Sequence, residues 1–219
     1  MTIRGGHNTK GTAIKNIELQ DLLDSVEFAR GLLDDARTVL EAEVCAAWHE
    51  QQTVRIAYDP EQPAEAIQAV QTVTAYGLSI LAVFAEGTGR SVGFGVTAGD
   101  IAREDILEAL DQARQSARPE TTYGSLPDPV KETTAAGPFY DPQVLTLAEE
   151  ELTQAAIEAL DGALTTFRDA GHVRQLRLVG EVWSRAEHLV VGNTHGLLAA
   201  DTMTGALATL QGHLSATQA

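Results

Sequence analysis

Cysteine is almost absent, since Cys45 is the sole thiol in 219 residues. An internal disulfide is therefore impossible, and so is a zinc site built from three or four thiolates. Cations are scarce too: 15 Lys and Arg stand against 31 Asp and Glu, a formal charge of −16. Nucleic-acid binding relies on clustered cations that release counterions from phosphates, so this balance argues against a direct nucleic-acid partner. It suits a solvated acidic surface, or a face made for a cationic peptide. No stretch approaches the roughly 18 apolar residues of a membrane span, and Met1 to Lys10 lacks the apolar core of a secretory leader. These absences give the expectation of a cytoplasmic protein with no membrane partner.

Signatures of common chemistry are missing as well. His49-Glu50 opens like a zincin helix, but Thr53 and Val54 stand where the second histidine belongs. No Gly-x-Ser-x-Gly elbow occurs. Gly93-Phe-Gly95 lies between an expected strand and helix, as a dinucleotide-binding turn would, yet the preceding segment reads as an antiparallel hairpin and Asp100 would face a pyrophosphate. A glycine-bearing strand end is the simpler reading. His188 and His195 flank an Asn193-Thr194 turn, and only a favourable hairpin register would join them as a metal pair. They are the metal candidates; no catalytic or cofactor-binding residue is assigned. Cys45, Trp48 and Trp183 fall in expected strands, where packing is the default role.

What is present is a chain of globular composition, 44% hydrophobic and 21% charged. Apolar residues at Leu19, Leu22, Leu23, Val26, Ala29, Leu33, Ala36 and Leu40 predict a helix over 19–40. Strand-like runs follow at 43–49, 53–58 and 66–85, then a Glu86-Gly-Thr-Gly-Arg90 turn, a returning strand at 91–97 and a helix over 101–117 capped by Asp100. Five prolines between 118 and 142 mark a connector. Thr146 to Glu149 has capping-box spacing and predicts a helix over 147–170, closed at Gly171. Runs at 175–184, 188–191 and 196–210 complete an antiparallel meander. The expected class is α+β: three main helices on antiparallel sheet, in two α/β halves joined by a proline-rich linker. The expected divisions are a disordered lead-in at 1–16, an N-terminal half at 17–118, the linker at 119–142 and the second half at 143–219.

The order of these features resembles the N-terminal domain of the TldD/PmbA family, described as modulators of DNA gyrase and as metalloprotease subunits. Ala42-Glu-Val-Cys-Ala-Ala-Trp-His-Glu50, Gly87-Thr-Gly-Arg-Ser-Val-Gly-Phe-Gly-Val-Thr97, the 103–117 helix and Leu189-Val-Val-Gly-Asn-Thr-His-Gly-Leu-Leu198 carry the likeness, with Tyr140-Asp141-Pro142 in the linker. It covers about residues 19–215. Arg90 is separated from Gly93 by two residues, and 60–75 diverge. The resemblance implies a non-catalytic domain contributing to subunit assembly and to the walls of a peptide cavity. It also implies a homo-oligomer, or a hetero-oligomer with a TldD/PmbA-type subunit. No cofactor is expected in this chain, because the family's zinc motif, His-Glu-x-x-x-His, occurs nowhere in it. Two alternatives stand beside this reading. One is a stand-alone homodimer built through sheet edges, or a small-molecule or peptide-binding domain. The other is an independent hydrolase in which Glu181 and Glu187, or His188 and His195, converge.

Overall fold

Small and β-branched apolar residues alternate with polar ones over long stretches of this chain, and that period of two builds one extended sheet. The computed structural model describes residues 17–87, 89–99, 101–129, 139–171 and 176–214. Helix α1 (Leu19–Asp34) leads into β1 (Val39–Tyr58), a short 3₁₀ turn at Pro63–Glu65, and the hairpin of β2 (Gln71–Glu86) and β3 (Gly89–Ala98). Helix α2 (Arg103–Ser116) and the two-residue strand β4 (Arg118–Pro119) follow. After the linker come the single-turn α3 (Pro142–Leu145), α4 (Glu149–Asp169) and the hairpin of β5 (Leu176–Asn193) and β6 (Leu198–Leu214). The six strands run β4-β3-β2-β1-β5-β6, every pair antiparallel.

The class is α+β, as the sequence indicates, with one sheet running through both halves. Strand β1 pairs with β2 on one side and with β5 on the other, so the strands before and after the linker share a hydrogen-bonded ladder. The sequence breaks β1 into 43–49 and 53–58 because Glu50, Gln51 and Gln52 read as a turn. In the structure they stay in the ladder, Glu50 opposite Thr74 and Ala186, with the Thr74 hydroxyl donating to Glu50 Oε2 at 3.3 Å. The same holds for 185–187 in β5, which runs unbroken.

One face of this sheet carries the helices. Val44, Ala46 and Trp48 lie with Leu22, Val26, Ile106 and Leu110 in one buried cluster under α1 and α2. Val54 and Ile56, on the same face of the same strand, join Leu152, Ala156, Leu160 and Leu178 under α4. Each fully buried Leu or Val contributes about 1.5–3 kcal/mol to holding a helix down. The polar middle of β1 falls between the two clusters, which is why it can be polar.

Helix boundaries depart from the sequence reading in two places. Helix α1 stops at Asp34 rather than 40, with acidic Asp34 and Asp35 at its negative end, and Leu40, 47% exposed, belongs to the strand. The capping frame of the third long helix moves two residues on: α4 starts at Glu149, the Ala148 N–H donates to Glu151 Oε2 at 2.9 Å, and Thr146 instead ends α3, donating to the Pro142 carbonyl. Asp100, the expected cap of α2, lies outside the described residues.

Gly93 and Gly95 are mid-strand residues of β3 rather than a nucleotide-binding turn. A Cβ on Gly95 would sit 1.8 Å from the Ala109 carbonyl oxygen, and one on Gly93 would sit 1.8 Å from that of Ala113. Two glycines facing two alanines let α2 lie directly on the strand backbone. Gly95→Ala is accordingly expected to destabilise the fold by about 1–3 kcal/mol or more. Gly124→Ala, with nothing within 4 Å of its added Cβ, should change stability by less than about 0.5 kcal/mol. Urea unfolding of the two variants measures the difference.

Candidate functional site

Among the described residues the face opposite the helices carries no helix. Its floor is built from odd-numbered residues of β1, β2 and β5 and even-numbered residues of β3. Where Cys45, Ala47, Ala75, Gly77, Ser79, Val96 and Ala98 meet, the side chains are small and a groove of about 310 Å³ results. Gly77 deepens it: a Cβ there would come within 2.3 Å of the Thr97 carbonyl oxygen. Near the groove Val73 is 60% and Phe94 53% exposed, and farther along the same face Leu207 is 47% and Val179 45% exposed. Contiguous apolar surface of this kind is where soluble proteins commonly bind other molecules.

At one end of the groove stands a polar group of three. His49 Nδ1 lies 3.6 Å from Glu187 Oε1, and Arg185 binds the same carboxylate oxygen through its terminal nitrogen. His49 Nδ1 and Arg185 Nε are buried without a hydrogen-bond partner. The group spans neighbouring strands because His49 is paired with Glu187 in the β1–β5 ladder. Neither His49 nor Arg185 stands out in the sequence as a site residue; the register of two long strands is what brings them together. Cys45 lies on the groove floor. Burial pushes its thiol up and Glu43 adds to the effect, against an opposing hydrogen bond with Ser79, so the group is protonated at neutral pH and is no activated nucleophile.

The sequence-derived candidates are scattered. His188 points to the helical face, stacked on Trp48 with ring centroids 5.0 Å apart, its Nδ1 2.9 Å from the Thr202 hydroxyl. Burial pushes its pKa down, which keeps the ring neutral at pH 7. His195 sits in the β5–β6 turn, beyond the strand end and about 17 Å or more along β5 from His188. Glu181 and Glu187 share the open face but lie six residues apart, about 20 Å. The two histidines and the two carboxylates therefore do not converge. Among the described residues no three His, Cys, Asp or Glu side chains are placed to hold a metal ion.

His195 belongs to a different assembly, one centred on Glu41. Residues 118–129 cross the open face at the end of β1, and there the Leu126 N–H donates to Glu41 Oε2 at 2.8 Å and the Ser125 hydroxyl at 3.0 Å. Arg90 stands 3.6 Å from Oε1 and His195 Nε2 3.7 Å from Oε2, while His195 Nδ1 meets Asp128 at 3.1 Å. Asn193, fully buried, donates to the Pro127 carbonyl and accepts from the His195 and Leu197 N–H groups. Burial opposes the charge on Glu41, but these donors and cations outweigh it and hold the carboxyl below its ordinary value. The cluster is a strap that closes one end of the open face. Burial and the Glu41 charge together raise the Tyr123 hydroxyl beside it.

The sequence matches no protein-family model, and no curated protein matches it. The fold is nevertheless shared with solved structures. TldE from Thermococcus kodakarensis aligns over 90% of this chain with a TM-score of 0.58 and 17% identity. A candidate modulator of DNA gyrase from Bacteroides thetaiotaomicron VPI-5482 aligns over 89% with a TM-score of 0.64 and 14% identity. Another from Thermotoga maritima MSB8 aligns over 91% with a TM-score of 0.50 and 14% identity. This chain spans about two fifths of the length of those proteins, 40–41%. The TldD/PmbA resemblance read from the sequence is therefore met at the level of the fold. Among the described residues no helix is long and apolar enough to cross a membrane.

The Glu41 strap yields a stability test with a defined pH sense. A carboxyl whose folded pKa is depressed stabilises fully above its unfolded pKa and loses that contribution as pH falls through the folded value. Glu41→Ala, which leaves the Leu126 N–H buried without a partner, should cost about 1–3 kcal/mol at pH 7. The gap between wild type and variant should shrink as pH drops below about 4.5. Urea titrations at pH 7 and pH 3.5, with limited proteolysis of residues 118–129, check both statements.

Proposed function

We propose that this chain is a non-catalytic domain of TldD/PmbA type, equivalent to the N-terminal part of such a subunit. In this reading it takes part in subunit assembly, and its helix-free sheet face forms one wall of a space that holds an unfolded peptide. The observation that carries the reading is the open groove over Cys45, Ala47, Ala75 and Gly77 on a sheet whose other face packs against helices in two buried clusters. The shared fold supports the family and leaves the role to the groove.

A wall of this kind fits an extended peptide better than a compact ligand. The groove is shallow and largely apolar, and most of its floor is small side chains, alanine, glycine, cysteine and serine among them. The carboxylates of Glu41, Glu43, Glu181, Glu187 and Asp201 occupy positions of the open-face register, with Arg55, Arg90, Arg177 and Arg185 as cations among them. With the chain at −16 overall, peptides that combine apolar and basic residues are the favoured class. Peptide cleavage is assigned elsewhere: the proposal gives this chain no zinc and no nucleophile, and any zinc chemistry belongs to a partner or to a further domain.

The single cysteine supplies the test. Alkylation of Cys45 at alkaline pH, slowed in itself by the raised thiol, should be slowed several-fold further by a saturating apolar-basic peptide of about ten residues. Ala75→Glu, which places a charge on the groove wall, should abolish the protection while leaving the circular dichroism spectrum unchanged. An alkylation rate indifferent to peptide in the folded wild-type chain overturns the proposal.

A further inference from the structure

The two edges of the sheet are finished differently. The β3 edge is closed: β4 pairs with Ser91 and Val92, the Phe94 N–H donates to Ser116 Oγ at 2.9 Å, that hydroxyl donates back to the Phe94 carbonyl at 2.8 Å, and the Val96 N–H donates to Gln112 Oε1 at 3.1 Å. Helix α2 thus supplies the hydrogen bonds that a neighbouring strand would make. The β6 edge has two satisfied outward N–H groups among the described residues, both in its first half: the Thr202 N–H donates to Asp201 Oδ1 at 2.8 Å, and the Thr204 N–H donates to the Phe139 carbonyl at 2.9 Å, with the Thr204 hydroxyl accepting from the Asp141 N–H. Beyond Thr204 no described residue satisfies it.

The Thr204 contact also fixes the parity of the strand. The Thr204 N–H points away from β5, and in an antiparallel ladder the outward groups recur at every second residue. Ala206, Ala208, Leu210, Gly212 and Leu214 therefore present their N–H and C=O groups outward, over about 30 Å of strand from 206 to 214. Exposed edges are ordinarily blunted by lysine, proline, a bulge or shortness. Strand β6 is 17 residues long and contains no lysine, no arginine and no proline; Asp201 is its one carboxylate, and it lies in the half nearer the linker.

We infer that the 206–214 edge of β6 is an interface, and that its occupant is the same edge of a second copy of this chain, paired antiparallel about a twofold axis. Antiparallel pairing of a strand with itself is the arrangement that twofold symmetry produces, and each copy then satisfies the other with the same groups. The local chemistry favours a copy over a charged partner. In a chain of −16, this stretch carries no carboxylate, so two copies meet here without like charges facing each other. Leu207 and Leu214, 47% and 50% exposed in the single chain, gain cover in the pair. The inference stands on the edge alone and does not depend on the peptide-wall reading of the open face.

Proline separates pairing from folding. At position 208 the N–H points outward, so Ala208→Pro removes a bond to the partner and none to β5. Light scattering of the wild-type chain should give twice the 23.3 kDa of one chain at micromolar concentration. Ala208→Pro should give the single-chain mass, with a dimer dissociation constant at least tenfold weaker and an unchanged far-ultraviolet spectrum. Thr209→Lys, which adds the charge natural edges carry, should weaken the dimer in the same direction and serves if the proline variant fails to fold. In the dimer the Ala208 and Leu210 amides should exchange slowly, and on dilution quickly. A chain that is monomeric at every concentration, or a dimer that keeps its mass in both variants with fast-exchanging Ala208 and Leu210 amides, overturns the inference.

Discussion

Strand β1 is the constraint on which the rest of the structure depends. It is hydrogen-bonded along both sides, to β2 through residues 39–53 and to β5 through residues 43–58, so it joins segments separated by the whole linker. Its alternation sets one face to the helices and the other to solvent, and a slip of one residue would exchange the two. Val44, Ala46, Trp48, Val54 and Ile56 anchor the helical face, while Cys45, Ala47 and His49 line the open one. Because β1 reaches both clusters, α1 and α2 at one end and α4 at the other are held on one surface with little contact between them.

Function in this account follows from what is left uncovered. A sheet packed on one side only presents its second side to solvent, and antiparallel sheets tolerate that when the second side is polar. Here it is small and apolar around the groove, with the His49, Glu187 and Arg185 group at one margin and the Glu41 strap at another. The strap uses a buried carboxylate with several donors, an arrangement whose removal leaves unpaired groups behind. It ties the chain to the sheet where the linker begins.

The elements were legible in the sequence where periodicity was long and uninterrupted. The stripes of α1, α2 and α4 show plainly, as does the hairpin at Glu86 to Arg90, because leucine and alanine spacing and turn glycines act locally. Long strands were cut at polar patches, Glu50 to Gln52 and Arg185 to Glu187, since a ladder on both sides can carry polar residues that look like loop in isolation. The groove itself was illegible. Alanine, glycine and serine on a strand give no chemical signal until β2 and β3 are laid beside β1. His49 meets Glu187 through a register that spans more than 130 residues of sequence, and Glu41 meets Ser125 and Leu126 from one segment and His195 from another. His188 and His195 are the nearest pair of histidines in the sequence, but β5 carries His188 to the helical face while the turn beyond the strand holds His195 beside Glu41.

The most direct measurement is a methyl-resolved nuclear magnetic resonance titration of the alanines with an apolar-basic peptide, because alanine lines both faces of the same strands. The account predicts that Ala47, Ala75 and Ala98 on the open face shift, while Ala46, Ala82 and Ala109 under the helices stay in place. Shifts confined to the helical face, or none at saturating peptide, would contradict it.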